Sequence, residues 1–527
     1  MTDLSLLLSR GFFPAKLPAP FSTERFAQVM AANAGHLPNT FNDPKRAKPV
    51  RHSFARVGIN RRFLSIPNPI VQHNLCCDVV NNWPQLSSAA NRSRISCSKP
   101  TIGQPTSRAI VPIVTYDDLP AMRLQARSTS KFILKADISK FYPSVYTHSI
   151  PWAIHGKDFA KVNRGNQHIG NSLDRWIRRG QDDQTIGIPI GPDTSFLIAE
   201  IILNATDEEL EKQLGKIRGF RFVDEFEFGF RSRSEAESAL STLRAVLREY
   251  ELELNSDKTE IIELPIRIVA RWVPQLRTFR FRSTPKAQAT DLMTYFDLAF
   301  ELAREHSKDH VLEYAVARLS PREDKSEAID RANWPLLQHF LFQCLMVETG
   351  TFFQVLELLI QYHQLGFDID VASVGEVLNS EIVHQCASNY GGEAAWSVWA
   401  AIFFGITIDP AAAAALSRMH DSIVALLTLD ANERGLIPSG LDTTLWETYM
   451  DEANLYDSQW LLSYEANVKG WLPSCTHTDH VLSDPNFRLL KKERVGFYDS
   501  DKLPLAVPAG IEVDEDVFAP LFEDIFY

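Results

Sequence analysis

The chain has 527 residues, 45% of them hydrophobic, which is enough for two or more buried cores. The early apolar run Leu6–Leu8 is short and follows Asp3 rather than a basic stretch, and no segment is long enough to span a bilayer, so neither secretion nor membrane insertion is expected and a cytoplasmic setting is. The net charge of −12 hides a split: residues 1–282 carry 39 Lys+Arg against 28 Asp+Glu, and residues 283–527 carry 15 against 38. The front therefore has the balance of a phosphate-binding surface, whereas the rear would repel a phosphate backbone and suits protein contacts or scaffolding. Six cysteines (76, 77, 97, 344, 386 and 475) show neither metal-ligand spacing nor a disulfide rhythm and are expected as buried thiols.

In chain order, residues 1–50 are Pro-rich and read as an arm that packs on something else (GFFPAKLPAPF), and residues 51–265 mix short strands with helices. KFILKADI alternates, with Phe132, Leu134, Ala136 and Ile138 on one face of a strand and Ile133, Lys135 and Asp137 on the other. In QTIGIPIGPDTS, Gly187, Pro189 and Gly191 predict a close-approach loop, and Asp193 or Thr194 is placed to cap the helix that follows. FRFVDEFEFGF predicts a hairpin whose turn is Val-Asp-Glu-Phe, holding Asp224 and Glu225. Ser234 and Glu237 fit a capping box for the next helix, and ELELNSDKTEIIEL predicts a strand return carrying Lys258. The order strand, helix, hairpin, helix, strand suits a ferredoxin-like palm. A connector at 266–287 leads into residues 288–470, where segments of about 10–20 residues with apolar side chains every three or four positions predict stacked helical pairs, an all-α, HEAT-like solenoid. Residues 471–527 are less regular and end in the acidic, aromatic DEDVFAPLFEDIFY.

A lone Asp at a strand end usually caps a turn or sits in solvent. As an ordered set, the segments around Asp137, GIPIGPDTS, FVDE and LNSDKT resemble motifs A, B, C and D of a reverse transcriptase, and RRFLSIPNPIVQ resembles its fingers motif. The texture around them (GFFPAKLPAPF, ISKFYPSVYTHSIPWAIHG, and the Trp272 segment leading into long helices) is similar to the abortive-infection and related defence-associated reverse transcriptases of bacteria, the AbiK-like group. That resemblance implies an α+β fingers–palm unit followed by helical repeats, acting against phage. Relatives make DNA either without an external template, with the protein as primer, or by copying an associated non-coding RNA.

The resemblance further implies the site. Asp137 and Asp224, with Glu225 and the Ile138 carbonyl, would hold Mg²⁺ (Mn²⁺ as a substitute) for transfer from dNTPs. Tyr142, five residues after Asp137, would exclude a ribose 2′-hydroxyl. Pro189, Ile190 and Gly191 would line the base and ribose, with Ile190 standing where many relatives carry Gln. Arg62 would contact triphosphate oxygens, although Arg61 beside it is not ranked below it. Lys258 is either a solvated lysine or a group that neutralises the leaving pyrophosphate. Glu225 departs from the usual second Asp, its extra methylene moving the carboxylate by about 1 Å, a shift that can cost on the order of 100-fold in rate. The alternatives are a catalytically impaired palm that still binds RNA, and a toxic RNase built on Arg304 and His310, whose R-x5-H spacing also suits a helix end. Tyr498 and Tyr527 are candidate priming residues, and the helical half is expected to support homo-oligomers.

Overall fold

The computed structural model describes residues 3–502 apart from 33–36, 39–40, 42, 57–60, 105–106 and 322–328. The DEDVFAPLFEDIFY tail, with Tyr527, lies outside the described residues.

Strands β1 (Val50–Ala55) and β2 (Arg61–Ile66) form an antiparallel pair in the register Val50↔Ile66, and β3 (Pro100–Ile102) pairs with β4 (Ile110–Pro112). The central sheet is antiparallel with order β6-β7-β5-β8, where β5 is Phe132–Asp137, β6 Gly219–Phe222, β7 Glu225–Phe230 and β8 Glu260–Glu263. Alternation sends Leu134, Ala136, Phe226 and Phe228 to one face, all buried. The helices Asp193–Leu214 and Arg233–Glu249 supply the apolar partners, and the first is buried along most of its length. The opposite face is covered too. The helix Leu119–Arg127 packs near β6 and β7 so closely that a Cβ on Gly229 would fall 2.5 Å from the Ala126 carbonyl oxygen.

Three local expectations are corrected. The hairpin turn is two residues, Val223–Asp224, because Glu225 already pairs with Phe222 on β6. The capping box is Ser232 with Glu235, since β7 ends at Phe230 and the helix begins two residues earlier than the Ser234/Glu237 alternative allows. Asp193 does not cap its helix; Pro192 stands at that position and the Asp193 carboxylate is buried, accepting from the Arg108 guanidinium at 2.6 Å and from the Ile110 amide at 3.0 Å.

The rear half is helical from Pro285–Glu305 through Trp334–Val347, Phe352–Gln364, Val371–Ala387, Gly391–Phe404 and Ser422–Glu433 to Trp460–Lys469. It closes back on the front. The Gly391–Phe404 helix starts with two glycines where β1 presses against it; a Cβ on Gly392 would sit 2.9 Å from the Ser53 carbonyl oxygen. Trp460 Nε1 donates to the Ile66 carbonyl at 3.1 Å and Trp396 Nε1 to that of Lys16 at 3.0 Å. The N-terminal arm joins this seam through Phe12, Phe13 and Phe26, whose rings meet Phe497. Tyr498 is consequently not a surface residue: it is 2% exposed and donates to Asp430 at 2.7 Å. Cys475 is exposed rather than buried, and none of the six cysteines is in a disulfide. No helix among the described residues is long and apolar enough to cross a membrane.

Candidate active site

Asp137 ends β5 and Glu225 begins β7, and the register makes them direct cross-strand partners on one face. Asp224 completes the group from the intervening turn, and its carbonyl accepts the Ile138 amide at 3.1 Å. Lys258 lies on the short helical turn Ser256–Lys258 rather than in a strand, and its ammonium donates to Asp137 Oδ2 at 2.8 Å. Burial, then the charges of Asp137 and Glu225, push the Asp224 carboxyl up to about 7. Burial and Asp137 raise Glu225 as well. Three carboxylates facing one lysine leave negative charge in a poorly solvated place, which a divalent cation would neutralise, and an all-oxygen donor set suits Mg²⁺. Among the described residues no group of three or more His, Cys, Asp or Glu side chains is spaced to hold a metal ion by itself. A cation here would therefore draw further oxygens from backbone, solvent or substrate.

The turn is held by residues that pattern reading missed. Val223 adopts φ 49°, a left-handed conformation that a β-branched residue rarely takes. Its amide donates to Ser98 Oγ at 2.7 Å and its carbonyl accepts from Arg221 Nη1 at 2.8 Å. Arg221 is fully buried between Glu200 (2.9 Å) and Asp207 (2.8 Å) of the Asp193–Leu214 helix, and Ser98 in turn donates to Glu200 at 2.8 Å. The strained turn carrying Asp224 is thus gripped at both backbone groups by one buried ionic network. Tyr116, also missed, packs its ring edge-on against Phe222 at 4.6 Å, and Glu225 and Asp224 add to burial in raising its phenol. The sequence signal for these residues was slight: Glu200 stands inside the apolar run Phe196–Leu203 of its helix.

A second group borders the carboxylates. Tyr142, on the turn Phe141–Ser144, is 9% exposed, and its hydroxyl is buried without a hydrogen-bond partner. Burial, then Asp224, raises its phenol, while the charge of Arg62, close enough to act on it, opposes the shift. Arg61 points the other way on β2: its guanidinium pairs with Glu393 and lies 3.9 Å from the Tyr390 ring centroid. Alternation along a strand separates the two arginines, and only Arg62 remains near Tyr142. The Gly187–Gly191 loop pairs with the chain leaving Asp137, Ile188 donating to the Tyr142 carbonyl at 2.9 Å and Gly187 to that of Val145 at 2.7 Å. Pro189 is buried and the Ile190 carbonyl accepts the Ser65 amide at 2.7 Å. Gly191 has φ 134°, and a Cβ there would lie 2.7 Å from Pro14 Cγ. Arg108 ties the loop to the arm, donating to the carbonyls of Gly191 at 2.9 Å and Phe13 at 2.5 Å. Arg304 and His310 stand apart from this site; Arg304 is exposed in the last turn of its helix and the His310 imidazole is engaged by Glu313.

Residues 87–282 match the family described as "Reverse transcriptase (RNA-dependent DNA polymerase)". That span contains Asp137, Tyr142, Gly187–Gly191, Asp224, Glu225 and Lys258, so a reverse transcriptase domain is present and its enzyme class is RNA-directed DNA polymerase. Two solved structures are similar in outline. Apo telomerase from Candida tropicalis shares 13% identity over 63% of this chain and 67% of its own, with a TM-score of 0.33. Telomerase from Candida albicans in complex with a TWJ fragment of telomeric RNA shares 11% identity over 68% of this chain and 66% of its own, with a TM-score of 0.30. No curated protein matches the chain.

Proposed function

We propose that the reverse transcriptase domain at residues 87–282 makes this chain an active DNA polymerase that draws on dNTPs and works in antiphage defence. The observation that carries the polymerase reading is the placement of Asp137 and Glu225 as cross-strand partners, with Asp224 on the turn beside them and Tyr142 nearby. Asp137 and Asp224, assisted by Glu225 and the Ile138 carbonyl, would hold Mg²⁺ or Mn²⁺; when bound, such ions acidify the primer hydroxyl and stabilise the departing pyrophosphate.

The chain's own groups do the rest. The buried Tyr142 ring fills the space a ribose 2′-hydroxyl would need, which favours deoxynucleotides. Arg62 contributes positive charge toward triphosphate oxygens, while Pro189, Ile190 and Gly191 shape the base and ribose contacts. Lys258 already pairs with Asp137, so it is placed to balance charge there until a cation enters and to neutralise the leaving group afterwards. The acidic helical half, read as an irregular solenoid, supports self-assembly in a cytoplasmic setting and leaves nucleic acid to the basic front. Synthesis is either protein-primed and untemplated or directed by a bound non-coding RNA. Burial of Tyr498 argues against it as the priming residue. Glu225 favours a second reading, a palm that binds RNA without catalysis.

One assay separates these readings. Purified protein is incubated with labelled dNTPs and Mg²⁺ or Mn²⁺, without added primer or template. Protein-linked DNA establishes self-priming, and product only when cellular RNA co-purifies establishes a templating RNA. RNA decay without incorporation supports the nuclease, and RNA binding without either supports the inactive palm. Full incorporation by Asp137→Ala or Asp224→Asn protein overturns the polymerase reading.

A further inference from the structure

The segment between motif A and the Gly187–Gly191 loop folds into three helices, Ser149–His155, Lys157–Val162 and Ile169–Arg179, and presents an unusual surface. Residues 140–168 carry four Lys or Arg and a single acid, Asp158, in a chain whose net charge is −12. Aromatic rings stand among those cations in two groups. Tyr146 meets His148 at 5.0 Å and Trp152 at 5.6 Å, with the Lys157 ammonium 4.4 Å from the Trp152 ring centroid. Phe159 meets His168 at 5.1 Å and His155 at 5.7 Å.

Phe159 stands out from the other five rings, which are half-buried, His148 being paired with Asp174 at 2.8 Å. Phe159 is 43% exposed and Val162 82% exposed, with Lys161 and Arg164 exposed beside them. Gly156, at φ 87°, breaks the helix, and each group straddles the break: Lys157 folds back over Trp152, and Phe159 over His155. The surface is also continuous with the catalytic cleft. Tyr146 forms a strand bridge with Ile186 beside the Gly187–Gly191 loop, the Thr147 amide donates to the Thr185 carbonyl at 2.8 Å, and the Tyr142 carbonyl, four residues upstream, accepts the Ile188 amide at 2.9 Å.

An exposed Phe159 and half-buried rings standing among cations fit a strand whose bases are unpaired: each base has a face to stack, and each phosphate needs a positive neighbour. A duplex offers phosphates but hides its base faces. A protein partner would gain from the apolar area but not from the cations, unless it were itself acidic. We propose that the Tyr146–His168 face is a binding track for single-stranded nucleic acid, which enters or leaves the cleft past Ile186. The proposal deepens the polymerase reading and rests on it for the direction of the strand, not for binding itself.

The test is fluorescence anisotropy on Asp224→Asn protein without divalent ions, so that binding is read apart from catalysis. The probes are oligo(dT), oligo(rU) and a duplex of the same length. Both single strands should bind more tightly than the duplex, and the tighter of the two identifies product or template as occupant. Phe159→Ala should weaken single-strand binding about tenfold, the scale of one lost stacking contact. Lys161→Ala/Arg164→Ala should flatten the dependence of log affinity on log salt by about 0.7 for each cation removed. Both variants change exposed side chains, and an unchanged melting temperature confirms that they fold. Duplex binding as tight as single-strand binding, or variants that bind like the parent, would overturn the track. Incorporation intact with no single-strand loss in the variants removes the track alone; single-strand loss with no incorporation by the unmutated chain removes the polymerase reading alone.

Discussion

The two halves satisfy buried charge in different ways. In the front half buried acids meet cations: Glu200 and Asp207 hold Arg221, Glu227 holds Arg127 at 2.6 Å, and Asp193 holds Arg108. In the rear half backbone amides take a larger share, although Asp430 meets Arg434 at 2.9 Å and Glu313 meets His310. Asp421 caps its helix through Ile423 and Val424, Asp484 does so through Asn486 and Phe487, and Glu465 accepts the Phe497 amide. The excess of Lys and Arg in the front and of Asp and Glu in the rear sets these habits, because the rear has few cations to offer. The seam follows from the same imbalance: front cations meet rear acids in Arg61–Glu393, Lys48–Asp457 and Lys45–Glu452, and the buried His52 meets Asp421 at 2.8 Å.

The comparison can be tested from its strongest point downward. Asp224→Asn should lower dNTP incorporation by about 1,000-fold or more, since it removes charge from the group that would bind metal; Glu225→Gln should cost only about tenfold if, as proposed, Asp137 and Asp224 are the main ligands and Glu225 assists them. Steady-state incorporation rates of the two variants decide it, and equal losses would make Glu225 a full ligand. Arg221→Met should destabilise the fold by about 3–5 kcal/mol, measured by denaturant titration, because Glu200 and Asp207 are left buried and unpaired. It should also slow incorporation in whatever fraction remains folded, through release of the Val223–Asp224 turn. A neutral result would mean that the front half does not depend on paired charge.

Glu465 tests the rear half by pH. Burial raises it from 4.5 to about 7 in the folded protein, so between those values the folded state keeps a proton that the unfolded state has lost. Stability should therefore fall as pH rises from about 4.5 to about 7, by up to about 3 kcal/mol. Glu465→Gln should abolish that slope and melt higher than the parent above pH 7; parallel melting curves across pH would show that amides alone compensate the charge. At the seam, Lys48→Ala should change stability by less than about 1 kcal/mol, because Lys48 and Asp457 are both substantially exposed, and the small difference should vanish at high salt.

Much of the candidate site was legible in the chain because its cues are local. Alternation marked β5 and its Asp137, glycines marked the Gly187–Gly191 loop, and flanking Phe pairs marked the hairpin around Asp224. Where two local solutions compete, local cues give no decision. SRSEAE contains two overlapping capping boxes, and the end of β7 selects Ser232 over Ser234. Arg61 and Arg62 are equivalent as sequence; which of them faces Tyr142 depends on Glu393, more than three hundred residues away.

Taken alone, the order of residue types established a palm-like strand, helix and hairpin succession, the carboxylates at its strand ends, and a basic front joined to an acidic helical rear. These follow from periodicity and composition, which act over a few residues or are simple sums. Tertiary structure decided that Arg221, Glu200, Asp207 and Ser98 grip the Asp224 turn, that Asp193 serves Arg108 rather than its own helix, that Lys258 reaches Asp137, and that the helical half closes on β1 and β2. Each of these is a contact between distant segments whose cost or gain depends on burial, and burial exists only once the chain has folded.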